Sequence, residues 1–303
     1  MAQLSFLGVP LHEGADQYGT IMGPDALRAA GLMDHLSALG HSISDLGDLT
    51  QPVADDQTFS RNLAVQNLGS VRRWIDTIRS RVEAIAPLDV PIFAGGDHAL
   101  SAGTISAMAK RAAEQGRPLY VLWLDAHPDF HTLETTSTGN LHGTPMAYLT
   151  GEPGFEEGFP ALEHPVSCEH VMMVGLRSVD AAERARLASR RFNLCDMRRM
   201  DEEGTVRPLL DFLSQVSEAD GMLHVSLDLD FLDPDIAPGV GTPVPGGATL
   251  REAHLIMELV HESGLLSSLD LVELNPFHDH AGRSARLLVD LTASLFGRRI
   301  LNT

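Results

Sequence analysis

The chain has 303 residues, of which 44% are hydrophobic, so it can bury a sizeable core in one large or two small domains. Acidic residues outnumber basic residues by 41 to 22, which gives a formal net charge of -19. This balance argues against nucleic acid and anionic membrane surfaces as partners, and it is compatible with a cationic substrate.

The N-terminal residues, MAQLSFLGVPLHEG, lack the basic and apolar regions of a signal peptide. No run of apolar residues approaches the length of about 18 that indicates a membrane-spanning helix. We therefore expect a cytoplasmic protein. The two cysteines, Cys168 and Cys195, do not have a metal-binding spacing.

Short β-rich apolar runs alternate with segments of helical period, which is typical of a mostly parallel sheet with helices on both faces. The predicted strands lie near 3–9, 42–47, 90–95, 118–126, 170–176, 191–196, 222–230 and 268–274. The predicted helices lie near 24–37, 62–86, 101–115, 180–190, 206–218, 249–263 and 281–297. The alternation resumes on both sides of a loop rich in Gly, Pro and Glu at 151–166, so we predict one α/β domain over residues 1–303.

Three of the predicted strands end in acid and histidine residues. The segments are GGDH at 95–98, DAHPD at 125–129 and SLDLD at 226–230. Each segment alone is compatible with a solvated strand end or a turn. In an open parallel sheet, however, the carboxyl ends of the strands share one edge and bind the ligand there. Together, the segments therefore favour a single site.

The candidate ligands at this site are four carboxylates and two imidazoles, with no thiolate: His98, Asp125, His127, Asp129, Asp228 and Asp230. In extended backbone, alternate residues within 125–129 and within 228–230 would point the same way. Carboxylates held close together repel one another, and a bound cation removes that repulsion. Oxygen ligands with some imidazole suit Mn(II) or a similar ion, and four negative charges balance two divalent ions. Such a pair can generate hydroxide, which indicates hydrolysis at an electrophilic carbon or phosphorus centre.

Two further segments indicate function. The polar loop at 135–143 carries His142, which could shuttle protons, although an ordinary surface loop would have the same composition. Glu273 lies in an apolar strand, where a carboxylate needs a charged or hydrogen-bonded partner. A cationic substrate or an arginine of the protein would each provide one.

Together these motifs resemble the ureohydrolase family, and its arginase members most closely. The likeness spans nearly the whole chain, and the stretch at 226–247 is its most specific part. The matching segments are GGDHAL (95–100), DAHPDF (125–130), TSTGNLHGTP (136–145), SLDLDFLDPDIAPGVGTPVPGG (226–247) and ELNPFHD (273–279). The resemblance implies a single three-layer α/β domain with an eight-stranded parallel sheet, assembled as a trimer or hexamer.

The resemblance also implies a role for each ligand and for the groups beside the metals. One Mn(II) would be bound by His98, Asp125, Asp129 and Asp228. The other would be bound by Asp125, His127, Asp228 and Asp230, so that Asp125 and Asp228 bridge the two ions. A metal-bridging hydroxide would attack the guanidinium carbon of the substrate.

In the same resemblance, Asp129 would hydrogen-bond the hydroxide and pass on its proton. His142 would exchange protons with solvent, and Glu273 would pair with the guanidinium group.

For the amino-acid end of the substrate, Thr138 and Asn140 match carboxylate-binding positions and Asp180 matches the α-amino contact. His131 stands where many arginases place an asparagine that binds the α-carboxylate, and a histidine there can still donate a hydrogen bond.

The resulting expectation is hydrolysis of L-arginine to L-ornithine and urea. One alternative is a ureohydrolase acting on agmatine or guanidinobutyrate, which the histidine at position 131 motivates. A second, remote alternative is a metal-binding scaffold without turnover.

Overall fold

The computed structural model describes residues 1–15, 17–51, 53, 58, 60–299 and 301. Its centre is one sheet of eight strands in the order β2-β1-β3-β8-β7-β4-β5-β6, and every pairing of neighbouring strands is parallel. The strands are β1 (Gln3–Val9), β2 (Ser42–Asp48), β3 (Val90–Gly95), β4 (Leu119–Leu124), β5 (Val171–Val174), β6 (Asn193–Cys195), β7 (Met222–Asp228) and β8 (Leu266–Val272).

Helices cover both faces of this sheet. They are α1 (Gly23–Ala29), α2 (Leu32–Ala38), α3 (Leu68–Glu83), α4 (Ser101–Glu114), α5 (Pro145–Leu149), α6 (Ala181–Leu187), α7 (Met197–Glu203), α8 (Val206–Glu218), α9 (Leu250–Ser263) and α10 (Arg283–Leu295). One hydrophobic cluster lies under α1, α2, α8, α9 and α10, and a second lies under α3, α4 and α5. The predicted three-layer α/β fold is confirmed.

Strand β4 shows why the central strands are apolar throughout. Leu122 and Leu124 belong to one cluster, whereas Val121 and Trp123 belong to the other. Successive side chains of a strand point to opposite faces, so a strand covered on both faces buries every residue. All six residues of β4 are buried accordingly.

The predicted helices differ from the observed ones at particular backbone breaks. The single helix expected at 24–37 is two helices, because Gly31 has φ 86° and interrupts the first. The helix expected at 62–86 begins only at Leu68, since Asn67 also has a positive φ, 52°. Helices α5 and α7, of five and seven residues, were not predicted.

Other features agree with the sequence analysis. The stretch at 151–166 contains neither helix nor strand. No helix in the described part of the chain is long and apolar enough to cross a membrane. The boundaries 1–303 stay a prediction, because Asn302 and Thr303 lie outside the described residues.

The sheet order places the candidate ligands together. Strands β3, β8, β7 and β4 are consecutive at the centre of the sheet. Because they run parallel, their carboxyl ends lie along the same edge, and the segments at 95–98, 125–129 and 226–230 follow three of them.

Candidate metal centre

The six predicted ligands form one cluster at this edge of the sheet, in which five are buried and His127 is partly exposed. Around His98, the ring atom Nδ1 lies 3.0 Å from Asp125 Oδ2 and 3.0 Å from Asp228 Oδ2. The same nitrogen lies 3.2 Å from Asp129 Oδ2. These residues come from three strand ends that are far apart in sequence.

A second group adjoins the first through Asp125. His127 Nδ1 lies 3.0 Å from Asp230 Oδ2 and 3.5 Å from Asp125 Oδ1. One oxygen of Asp125 therefore faces each imidazole, which is the arrangement of a carboxylate that bridges two ions. Each group offers three ligand atoms within 4.8 Å of one another.

The atoms of this cluster fit divalent cations. His98 Nδ1 and Asp125 Oδ2 are buried and have no hydrogen-bond partner, although they lie 3.0 Å apart. They are therefore directed at a common point rather than at each other. Oxygen and imidazole donors in this number suit Mn(II) better than a structural zinc ion, which favours thiolates and a closed tetrahedron.

The crowding of negative charge is visible in the pKa values. Burial, followed by the charge of Asp125, raises the pKa of Asp129 well above its usual value. Burial and the charge of Asp230 do the same for the pKa of Asp228. The carboxylates act in the opposite direction on His98: burial lowers its pKa, but Asp125, Asp129 and Glu273 together outweigh burial and raise it to about 9. Divalent ions among these groups would offset the repulsion.

Neighbouring groups fix the orientation of His98. Its ring stacks on Trp123 with 4.0 Å between ring centroids and 1° between planes. Its Nε2 lies 2.8 Å from Ser226 Oγ. With Nε2 as the donor in this hydrogen bond, Nδ1 carries no proton and can bind a metal.

Asp230 is held by groups from two other segments. Its Oδ1 accepts a hydrogen bond from Ala126 N at 3.1 Å, and Thr242 Oγ1 donates to its Oδ2 at 3.2 Å. The guanidinium of Arg177 donates from Nη2 to the carbonyls of Asp230 and Val244, at 2.6 and 2.8 Å. Arg177 thus ties the ligand-bearing turn to the loop that follows it.

The expectation that these ligands extend the strands holds for Asp228, the last residue of β7, but was wrong for the ligands after β4 and for Asp230. β4 ends at Leu124, and Asp129 has a left-handed φ of 48°. Asp230 lies in a 3-10 turn over Leu229–Phe231, where its N–H donates to Asp228 Oδ1 at 2.8 Å. The ligands meet because short turns redirect the chain after each strand, and strained φ values of this kind cluster at functional sites.

Glu273 lies beside the cluster with one oxygen satisfied and one free. Its Oε1 accepts hydrogen bonds from His98 N at 2.8 Å and His142 Nδ1 at 3.0 Å, whereas its buried Oε2 has no partner. Its φ is 63°, another left-handed value. Burial raises the pKa of Glu273, but the contacts with His142 and His98 together outweigh burial and leave the pKa below its usual value. A cationic group would find an acceptor here.

A cavity of about 250 Å³ opens above the cluster. The structure brings together in its wall the four residues predicted to contact the amino-acid end of a substrate: His131, Thr138, Asn140 and Asp180. His142, the predicted proton shuttle, lines the same cavity. Their roles stay predictions, but their common location is what those roles require.

Sequence analysis missed Glu183, which also lines the cavity. Asp180 caps α6 by accepting a hydrogen bond from Glu183 N at 2.9 Å, and the Glu183 side chain returns to Asp180 N. The spacing D-x-x-E is the signature of such a capping box and would have located it. Burial raises the pKa of Glu183. For Asp180, burial also raises the pKa, but backbone hydrogen bonds and His131 outweigh burial and lower it.

Comparisons with known sequences show which family the chain is similar to. A family model described as the Arginase family matches residues 2–297. The arginase of Agrobacterium fabrum strain C58 is 56% identical over 297 residues, which cover 98% of this chain and 91% of that protein. Human mitochondrial arginase-2 is 37% identical over 309 residues, covering 97% of this chain and 85% of that protein.

Solved structures show the same similarity. The native structure of arginase from Bacillus caldovelox superposes with a TM-score of 0.90 at 35% identity, covering 99% of this chain and 100% of that one. The arginase of Entamoeba histolytica, solved in complex with L-ornithine, superposes with a TM-score of 0.87 at 26% identity, covering 98% and 99%. The resemblance seen in the motifs is therefore confirmed over the whole fold.

Proposed function

The chain belongs to the arginase family, and we propose that it is a metal-dependent hydrolase that converts L-arginine and water to L-ornithine and urea. One observation carries this proposal: four carboxylates and two imidazoles converge at the strand ends of a chain that is 56% identical to an arginase. The net charge of -19 also suits a cationic substrate.

The metals in this proposal are two Mn²⁺ ions per subunit. His98, Asp125, Asp129 and Asp228 would hold one ion, and Asp125, His127, Asp228 and Asp230 would hold the other. Asp125 Oδ2 faces His98 and Asp125 Oδ1 faces His127, which supports a bridging role for this residue. When bound, the ions would supply hydroxide near neutral pH by lowering the pKa of a shared water.

The residues around the metals then have separate tasks. Asp129 would accept a hydrogen bond from the nucleophile and take up its proton, since its carboxylate lies 3.2 Å from His98 Nδ1 inside the cluster. Glu273 would direct its unpartnered Oε2 to the guanidinium group. His142 lines the cavity and contacts Glu273, so it can carry protons between the reacting groups and solvent.

The outer part of the cavity would recognise the amino-acid end of arginine. Thr138 and Asn140 lie on the polar loop and would donate hydrogen bonds to the α-carboxylate. Asp180 would accept hydrogen bonds from the α-ammonium group, and His131 lies beside it. Their location in one cavity with the metal ligands supports this division of the substrate into two ends.

Assembly and location belong to the same proposal. We expect trimers or hexamers, as in the family that the motifs resemble, and a cytoplasmic protein. Cys168 and Cys195 are both free thiols, which agrees with a reducing compartment. Sedimentation of the purified chain would establish the number of subunits.

Urea release tests the activity directly. The Mn²⁺-loaded protein would be compared on L-arginine, agmatine and 4-guanidinobutyrate at matched concentrations. We expect a strong preference for L-arginine, because the cavity has groups for both the α-ammonium and the α-carboxylate. A preference for agmatine would make the protein an agmatinase-type ureohydrolase. No turnover of any of the three would contradict the proposal and favour a metal-binding scaffold.

A further inference from the structure

The ring of His131 lies between two carboxylates on the outer wall of the cavity. Its Nε2 is 2.9 Å from Asp180 Oδ2 and 3.7 Å from Glu183 Oε2. Its other ring nitrogen, Nδ1, is 3.2 Å from Thr135 Oγ1. Both nitrogens of the imidazole are therefore engaged by the protein itself.

This arrangement differs from the one expected for a residue that binds a carboxylate. A neutral imidazole has one donor, and the geometry places that N–H on Nε2, where the acceptor is Asp180. The ring then has no free donor for the α-carboxylate of a substrate. His131 instead faces the part of the wall that carries negative charge.

The two carboxylates form a subsite for a compact cation. Asp180 uses Oδ1 to cap α6, and Glu183 uses Oε1 to accept a hydrogen bond from Phe130 N at 3.1 Å. Of their second oxygens, Asp180 Oδ2 lies 2.9 Å from His131 Nε2, and Glu183 Oε2 accepts a hydrogen bond from Asp180 N at 3.4 Å. A carboxylate oxygen has two lone pairs, so each of these oxygens can accept a further hydrogen bond from a ligand. One atom each from His131, Asp180 and Glu183 lie within 4.8 Å of one another. In the proposed reaction, the cation that reaches this point is the α-ammonium group of arginine.

We propose that His131 is a specificity-determining positioning residue that occupies the ammonium subsite and thereby weakens the enzyme's selection for substrates with an α-ammonium group. This inference rests on the proposed arginase activity. The Nε2–H donor uses the same Asp180 oxygen that the ammonium group needs, so the substrate must share or displace it. Loss or weakening of the hydrogen bond between His131 and Asp180 therefore reduces the net binding free energy of the ammonium group.

Three substrates separate the two ends of arginine. L-Arginine has both groups, agmatine lacks the α-carboxylate, and 5-guanidinopentanoate lacks the α-ammonium. The variants are His131→Asn, whose amide is too short to reach Asp180, and His131→Gln, whose amide can occupy the place of Nε2. His164→Asn, in the loop at 151–166, is the matched control. Each full-length protein is loaded with Mn²⁺ and checked for metal content and melting temperature.

For His131→Asn we expect KM to fall about threefold to tenfold for L-arginine and for agmatine, with a smaller change in kcat. Agmatine isolates the effect on the subsite in this variant, because an asparagine at position 131 can also contact the α-carboxylate of the other two substrates. In His131→Ala, which lacks that amide, KM for 5-guanidinopentanoate should hardly move, because that substrate has no group for the subsite. His131→Gln should show the same trend to a smaller extent, since it keeps a donor to Asp180. If the Asn variant does not accumulate, His131→Ala removes the donor and repeats the test.

Two results would overturn the inference. A rise in KM for L-arginine with no change for agmatine would identify His131 as a contact of the α-carboxylate. Equal changes for all three substrates would mean that the residue only supports the local structure. Failure of the proposed function is distinguishable from both, because the wild-type protein would then release no urea from any of the substrates.

Discussion

Two clusters of acid and imidazole groups lie along the central strands of the sheet, and they differ in composition. The metal centre at the strand ends has four carboxylates and two imidazoles. The second cluster lies deeper in the sheet, where His224 Nε2 is 3.2 Å from Asp270 Oδ2 and both residues are fully buried. Hydroxyl groups surround this pair: Ser101 and Thr104 donate to Asp270 at 2.7 and 2.8 Å.

The difference is one of charge balance. In the deeper cluster, one carboxylate faces one imidazole, and a third hydroxyl, that of Ser268, contacts His224 Nδ1 at 2.7 Å. That pair can be neutral as a whole without any added ion. In the candidate metal centre two imidazoles balance at most half of four carboxylates, so the remaining two must be protonated or be balanced by cations. Burial of acid and histidine groups is therefore not sufficient to indicate a metal site; an excess of negative charge directed at one point is the distinguishing feature.

Asp125→Ala should break the metal centre and produce the largest effect. The substitution removes the carboxylate that faces both imidazoles, so we expect urea release to fall by about a thousandfold or more and bound Mn²⁺ to be lost. Steady-state kinetics and metal analysis measure the two effects. Asp76→Ala, at an exposed position on α3, is the matched control. Normal activity in the Asp125 variant would disprove its bridging role.

The stability of the same variant without metals tests whether Asp125 also supports the fold. Without them, Asp125→Ala should lower the free energy of unfolding, because His98 and His127 lose the carboxylate whose pKa they hold below its usual value. Urea denaturation after dialysis against a chelator measures this. Unchanged stability would show that relief of the repulsion with Asp129 and Asp228 offsets the lost imidazole contacts.

Asp270→Ala should lower stability but leave metal binding intact. The change leaves His224 and two hydroxyl groups buried without their partner, so we expect a loss of about 3–5 kcal/mol in the free energy of unfolding. Two metal ions should still bind to the folded fraction, because Asp270 contacts none of the ligands. Urea denaturation and metal analysis at low temperature test both statements. Unchanged stability combined with lost metal would assign Asp270 to the metal centre instead.

Glu273→Gln tests a residue with features of both clusters. Its Oε1 is satisfied as in a structural pair, but its Oε2 is free as in the metal centre. We expect kcat/KM for L-arginine to fall about tenfold to a hundredfold, because the guanidinium group loses a charged acceptor. Metal content should persist, and it is measured alongside the kinetics. Wild-type kinetics would contradict the proposed contact with the substrate.

The sequence predicted that the six candidate ligands lie together, but it did not predict the deeper pair. Parallel strands share a carboxyl edge, so ligands at three strand ends had to meet there. His224 and Asp270 lie inside apolar strands, where the alternation of side chains does not indicate which polar residues face each other across β7 and β8. Their contact depends on strand register, with His224 opposite Ser268 and Ser226 opposite Asp270. That register is set by the whole sheet rather than by local sequence.

The sequence also did not predict the local backbone geometry. The turns that carry Asp129 and Asp230 were expected to be extended, and Gly31 was expected inside a helix. In each case one residue changes the direction of the chain. Hydrophobic periodicity is averaged over ten or more residues, so it does not reveal a change at a single residue. The outer wall was placed only through the family resemblance, because Thr138, Asn140 and Asp180 have no periodicity or ligand spacing of their own.

Ser226→Ala examines the link between the two clusters and should have the smallest effect. Ser226 contacts His98 Nε2 and stands opposite Asp270 in the sheet, so it connects the ligand to the strands beneath it. Removing its hydroxyl frees the His98 ring to adopt the other tautomer, in which Nδ1 carries the proton and cannot bind metal. We expect Mn²⁺ affinity to fall about tenfold, measured by competition with a chelator, while the melting temperature of the metal-free protein changes little. If the affinity is unchanged, the stack of His98 on Trp123 is sufficient to orient the ring, and the two clusters are independent of each other.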